Sequence, residues 1–125
     1  MEILDAIKQV ISFLFGTENQ NLLHALITLV VLDYVTGVCV AIHNKELSSA
    51  IGSKGISKKV MMFVLISLSN IADVYFLQAD SALETVTILF YCANESISII
   101  ENATKIGIPI PQKLKKICSS IKKKN

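Results

Sequence analysis

Three apolar runs, each with an acid near its middle, fill most of residues 22–100 and constrain the chain more than any other feature. The first, LLHALITLVVLDYVTGVCVAI (22–42), is apolar at 16 of 21 positions and carries Asp33. The second, VMMFVLISLSNIADVYFLQA (60–79), is apolar at 15 of 20 and carries Asp73. The third, ALETVTILFYCANESISII (82–100), is apolar at 12 of 19 and carries Glu84 and Glu95. At 1.5 Å per residue, helices of this length cross a hydrocarbon core of ~30 Å. Only Asp80 and Ser81 separate the second run from the third, which predicts an antiparallel helical hairpin. The third span is marginal. Its eight Leu, Ile, Val and Phe residues contribute about −3 kcal/mol to insertion, which a central acid cancels, so it needs help from partner helices or from its basic flank.

Composition points the same way. Of 125 residues 52% are hydrophobic and 18% charged, against roughly 45–50% and 25% for soluble domains. That excludes a disordered chain. A soluble bundle is the rival, but too little polar chain remains to cover three such helices. The expected fold is therefore a single all-α integral membrane domain with three transmembrane helices.

The flanks are amphipathic. Residues 2–15 place Ile3, Ile7, Val10, Ile11 and Leu14 at helical spacing. The stretch is too short and polar to span, and it lacks the basic start and cleavage site of a secretory signal. It is expected to lie on the membrane surface, with 16–21 as a turn. Pro109 and Pro111 stop the third helix, and 112–125 sets Leu114, Ile117 and Ile121 on one face among six Lys, a second surface helix.

All twelve basic residues are Lys, and eleven lie in 43–59 or after residue 100. Two spans separate these segments, so both face one side. Lys marks the cytoplasmic side, which predicts N-out and C-in orientation. Lys54, Lys58 and Lys59 of the loop, with Lys113, Lys115, Lys116, Lys122, Lys123 and Lys124 of the tail, are the expected contacts to an anionic leaflet. Without Arg or interleaved aromatics the Lys clusters do not suggest nucleic acid.

No enzyme motif is present. The 52–55 segment, Gly-Ser-Lys-Gly, is too short and wrongly spaced to cradle phosphate, and is expected as a turn before a helix starting near Ser57. Cys39, Cys92 and Cys118 form no metal-ligand or disulfide pattern, and His24 and His43 stand alone. No catalytic residue, cofactor or metal site is expected.

Function is expected to rest on the intramembrane acids, for which the sequence offers no cation inside a span. In the third span Glu84, Thr87, Tyr91, Asn94, Ser98 and Glu101 recur at heptad spacing, a polar seam. In the second, Ser67, Asn70 and Asp73 step by three. In the first, Asp33, Gly37 and Ala41 step by four, beside Thr36, and suggest close backbone approach. Two roles stay open. These polar faces either hydrogen-bond helix to helix in a dry bundle, or line a water-filled opening once many copies assemble.

Two segments resemble a known family. LDYVTGVCVAIHNKELSSAIGSKGISKKV (32–60) and FYCANESISIIENATKIGIPIPQKLKK (90–116) are similar to the holins of phage lysis cassettes and clostridial toxin-secretion loci. The shared pattern is a D-Y-x-T-G element (Asp33-Tyr34-Val35-Thr36-Gly37), a G-x-x-G loop (52–55) with paired Lys58-Lys59, an A-N-E-x-[IS]-S-I-x-E-N element (93–102) and G-[IL]-P-I-P-x-x-L (107–114). The resemblance implies a small membrane protein that assembles with itself and opens large lesions. Through these an endolysin or toxin leaves the cytoplasm, with no necessary direct contact. Against it stand a proton or cation conductor using Asp33, Asp73 and Glu95, and a subunit that only anchors another protein.

Overall fold

The computed structural model describes residues 1–46 and 49–117, with 49–54 described by backbone alone. Four helices follow in order: α1 (Glu2–Phe15), α2 (Gln20–Asn44), α3 (Ser49–Ile71) and α4 (Ala82–Ile106). α3 runs on into a wider π-helical turn, Ala72–Leu77, and residues 112–117 are again helical. Three helices are long and apolar enough to cross a membrane: Gln20–Asn44, Gly55–Leu77 and Ala82–Ile106.

Each span overruns its apolar run, and the ends show why. α2 stops where Lys45 turns left-handed (φ 57°). There the Lys45 N–H bonds to Ile42 O and the Glu46 N–H to Ala41 O, the paired bonds that close a Schellman end. α4 ends identically at Gly107 (φ 94°), with the Gly107 N–H on Thr104 O and the Ile108 N–H on Ala103 O. Pro109 follows, where a helix cannot continue. The expected turn at 52–55 is instead helical. Extending a formed helix adds one hydrogen bond per residue, enough to carry α3 back through Gly52 and Gly55.

α4 packs against both α2 and α3, and α1 packs on α3. Hydrogen bonds between α4 and the stretch from Asn19 through α2 keep sequence offsets of 65 to 69 residues along the whole contact, so α2 and α4 run parallel. α3 lies antiparallel to both. Where the three meet, Leu23, Leu26, Ile66 and Ile88 form the buried core, flanked by Val30, Met62, Phe63, Tyr91 and Cys92. Outside, Val31, Leu32, Val35, Val60, Met61, Val64, Leu65 and Leu68 are exposed, as in a body whose solvent is hydrocarbon.

α1 buries no residue. It is fastened at its end, where Phe15 meets Phe63 edge-on at 6.4 Å and Asn70 Nδ2 donates to Phe13 O (3.3 Å) and Leu14 O (3.1 Å). Gly16 then turns the chain at φ 69°, where an added Cβ would sit 3.0 Å from Asn70 Oδ1. By contrast, a Cβ on Gly37 would meet Asn102 Nδ2 at an ordinary 3.9 Å, so the close approach expected there is not required. Gly16→Ala should therefore cost about 1–3 kcal/mol from backbone strain alone, while Gly37→Ala should keep or slightly raise thermal stability in detergent. Equal loss from both substitutions would contradict this packing.

Candidate functional site

Polar side chains gather in two layers, separated by the apolar core. The inner layer lies near the middle of α2 and α4. Lys59 Nζ bonds to Asp33 Oδ2 at 2.8 Å and to Glu95 Oε1 at 2.9 Å, with Glu95 Oε2 at 3.1 Å. The other oxygen of Asp33 accepts from Ser98 Oγ (2.6 Å) and Asn102 Nδ2 (3.1 Å). Asn102 also donates to Thr36 Oγ1 at 2.9 Å. All three spans contribute. Asp33 lies eleven residues before the end of α2, ~16 Å along the axis and about half the hydrocarbon thickness.

The expectation that Asp33 and Glu95 have no cation is thus overturned, and Lys59 moves from the set of lipid contacts to the interior. The physical reason is the longer second span: it begins at Gly55 rather than Val60, which puts Lys59 inside the bundle on a stem long enough to reach both acids. Its side chain is 19% exposed, against 14% for Asp33 and 6% for Glu95. A buried cluster of this kind is held by mutual compensation. Removing Lys59 leaves two buried carboxylates without a cation and costs about 3–5 kcal/mol.

The outer layer sits about 21 Å away along the axis, fourteen residues earlier at Asn19. Asn19 Nδ2 donates to Glu84 Oε1 (2.9 Å), and Thr85 Oγ1 donates to Asn19 Oδ1 (3.2 Å). Asp73 is fully buried and accepts the Leu83 N–H (3.1 Å) and Glu84 N–H (2.8 Å). It therefore caps the first turn of α4 from outside, where Ser81 provides no side-chain cap. Capping from a neighbouring helix satisfies donors otherwise orphaned and sets a negative charge at a helix N-terminus. The π-turn that carries Asp73 helps place it there. Asn70 Oδ1 and Glu84 Oε2 are buried without hydrogen-bond partners among the described residues.

The seam expected along α4 divides. Glu84, Tyr91 and Ser98 face the bundle, joined by Glu95 and Asn102, while Asn94 and Glu101 are exposed and Thr87 lies half-buried. Thr87 Oγ1 bonds back to Leu83 O (2.7 Å). Tyr91 packs on the core and tilts against Phe90 at 5.3 Å. Ser67 is half-buried on α3. Asn19 and Asn102 are missing from the residues that the sequence singles out, and Lys59 is singled out there only as a lipid contact. The signals for two of them lie in the sequence: Lys59 sits at a span edge, and Asn102 lies seven residues after Glu95.

Lys58, Lys113, Lys115 and Lys116 are exposed. The Lys54 side chain and Lys122, Lys123, Lys124, Ile121 and Cys118 lie outside the described residues. Among the described residues no group of His, Cys, Asp or Glu is arranged to hold a metal ion.

Three sequence elements set apart in the chain therefore meet in one place: Asp33 and Thr36 of the D-Y-x-T-G element, the second Lys of the pair, and Glu95, Ser98 and Asn102 of the A-N-E element. The bacteriophage holin family's sequence profile matches residues 9–123. The chain belongs to that family. A probable holin of Bacillus phage phi105 is 35% identical over 100 residues, covering 80% of this chain and 72% of the phage protein. An uncharacterized protein of Halalkalibacterium halodurans is 39% identical over 116 residues, covering 90% and 85%. An uncharacterized 14.9 kDa protein from the nagH 3′ region of Clostridium perfringens is 35% identical over 113 residues, again covering 90% and 85%. No solved structure matches the chain significantly.

If the cluster holds this holin-family fold together, Lys59→Met should lower unfolding stability in bicelles by about 3–5 kcal/mol. Adding Asp33→Asn and Glu95→Gln to that variant should restore most of the loss. An unchanged stability for Lys59→Met, with weakened binding to anionic vesicles instead, would return Lys59 to the lipid surface.

Proposed function

We propose that the chain is a holin that assembles with itself in the bacterial cytoplasmic membrane and opens lesions wide enough for folded protein. The observation carrying this reading is the polar interior of a body whose outside is apolar, in a chain of the holin family. Asp33, Lys59, Glu95, Asn19, Asp73 and Glu84 fill a bundle too small to enclose a lumen. Many copies that turn these faces to a shared space would hydrate them. Two buried oxygens already lack partners, and admitted water would satisfy both.

The transition would be abrupt. Parting the three spans around Lys59 means separating a compensated charge cluster in a dry interior, which is costly until solvent enters. Once water reaches one opened cluster, its neighbours lose the same barrier. Assembly thus proceeds with the membrane sealed, and opening follows as one event. The cargo is an endolysin or a toxin, passing through without specific contact.

Orientation follows from charge. The α2–α3 turn and the end of α4 lie at one end of the bundle, and the exposed Lys58, Lys105, Lys113, Lys115 and Lys116 belong to that end. They face the cytoplasmic leaflet, with α1 lying flat on the outer surface. A proton or cation relay is less well supported. Leu26, Ile66 and Ile88, each fully buried, part the two polar layers of a single chain and leave no continuous polar path between them.

Inducible expression in a bacterial host tests the proposal. Membrane potential should hold through a lag and then collapse, and a co-expressed cytoplasmic reporter enzyme should appear in the medium at the same moment. A slow, graded ion leak with the reporter retained would contradict it.

A further inference from the structure

The outward face of α4 carries a polar group that the fold does not account for. Asn94 is the central residue of α4, twelve residues from each end and ~18 Å along the axis from either. It is exposed and makes no hydrogen bond among the described residues. Every acid within the spans has a partner or faces the interior, save Glu101 near the end of α4. Among the described residues Asn94 alone presents an unsatisfied amide outward at mid-membrane depth, where lipid tails offer neither donor nor acceptor.

The residues around it form a pattern of their own. Leu83, Thr87, Phe90, Asn94, Ile97 and Glu101 follow one another at steps of 4, 3, 4, 3 and 4, the spacing at which two helices mesh side by side. Thr87 has already bonded to its own helix, so it presents a compact, satisfied surface. A single polar position within such a seam fixes register and the number of strands. At the cytoplasmic end, exposed Glu101 and Lys105 lie one turn apart on the same face.

We infer that this seam is the contact between two copies of the chain, with α4 packed in parallel on α4 and the two Asn94 amides hydrogen-bonded to each other. A second copy fits better than another partner because every demand of the face is met by the same face. A carboxamide carries both a donor and an acceptor, so two of them satisfy one another across a two-fold axis normal to the membrane. Copies inserted in one orientation bring equal depths together, which sets the two Glu101 side by side near the end of the seam, with Lys105 of each copy one turn away to offset their charge. The isologous contact closes on itself, so it makes a dimer. Larger assemblies grow from that dimer through a different surface.

This inference rests on the self-assembly reading above, but it can fail separately. The test uses the full-length chain with Cys39, Cys92 and Cys118 replaced by Ala, bearing Phe90→Cys on the seam, Val31→Cys on α2 or Leu65→Cys on α3, oxidised in native membranes. Phe90→Cys, which keeps Asn94, should give a disulfide-linked homodimer several-fold more efficiently than either exposed position outside the seam. With Cys-free chains carrying donor and acceptor dyes, Asn94→Leu should weaken dimerisation by about threefold to twentyfold, the range of one interhelical hydrogen bond in a bilayer. Asn94→Gln should retain it.

Crosslinking at position 31 or 65 equal to that at 90 would overturn the inference. So would dimerisation unchanged by Asn94→Leu, which would leave the amide to lipid or water, or adducts only to another protein. Reporter release from the Cys-free parent separates the two claims. Release without the 90 crosslink rejects the surface and keeps the holin reading, whereas a 90-linked dimer in a chain that never releases protein does the reverse.

Discussion

One ammonium group, Lys59 Nζ, ties the three spans together at mid-depth. Apolar packing alone cannot set helix register in a membrane, because lipid tails are as apolar as leucine and sliding costs little. Asp33 from α2 and Glu95 from α4, held within 2.9 Å of the same nitrogen, remove that freedom. Moving any helix by one turn would carry a charge ~5.4 Å from its partner into hydrocarbon. The parallel register of α2 and α4 is the visible consequence, and Ser98, Asn102 and Thr36 complete the hydrogen bonding around it.

A second constraint acts at the far end. Asp73 caps α4 from the last turn of the preceding helix, and Asn19 joins the start of α2 to Glu84. The α3–α4 hairpin is thereby closed without a glycine: Gln78 (φ 48°) and Ser81 (φ 59°) both adopt left-handed backbone, a conformation non-glycine residues adopt at a cost. The capping bonds offset it. Between these polar layers lies a thin apolar core, which gives a folded unit that is stable in lipid yet stocked with groups that water could satisfy. Under the proposed function, stability in the sealed membrane and the lining of an opening are the work of the same residues.

Much of the architecture was legible in the sequence. The three spans follow from apolar run length, and the polar nature of their inner faces follows from Asp33, Asp73 and Glu95. What sequence reasoning lost is directional. Lys59 was assigned to a surface because it borders an apolar run, yet a four-carbon stem lets a lysine reach several ångströms inward. Glu84, Thr87, Tyr91, Asn94, Ser98 and Glu101 share a heptad, but its two rows diverge: Glu84, Tyr91 and Ser98 turn inward, while Asn94 and Glu101 turn outward. Asp73 looked like an unpaired charge because its partners are backbone N–H groups, which no residue pattern announces. The helical course of 52–55 was hidden by two glycines whose low propensity suggests a turn.

The most direct measurement is magnetic-resonance dipolar coupling in bilayers, from labelled Lys59 Nζ to the carboxyl carbons of Asp33 and Glu95 and to lipid phosphorus. The charge-cluster account predicts strong coupling to both carboxyl carbons, as nitrogen–oxygen contacts of 2.8 and 2.9 Å require, and none to phosphorus before the membrane opens. Coupling to phosphorus with none to the carboxyl carbons would show Lys59 at the lipid surface, and the register argument would fall with it.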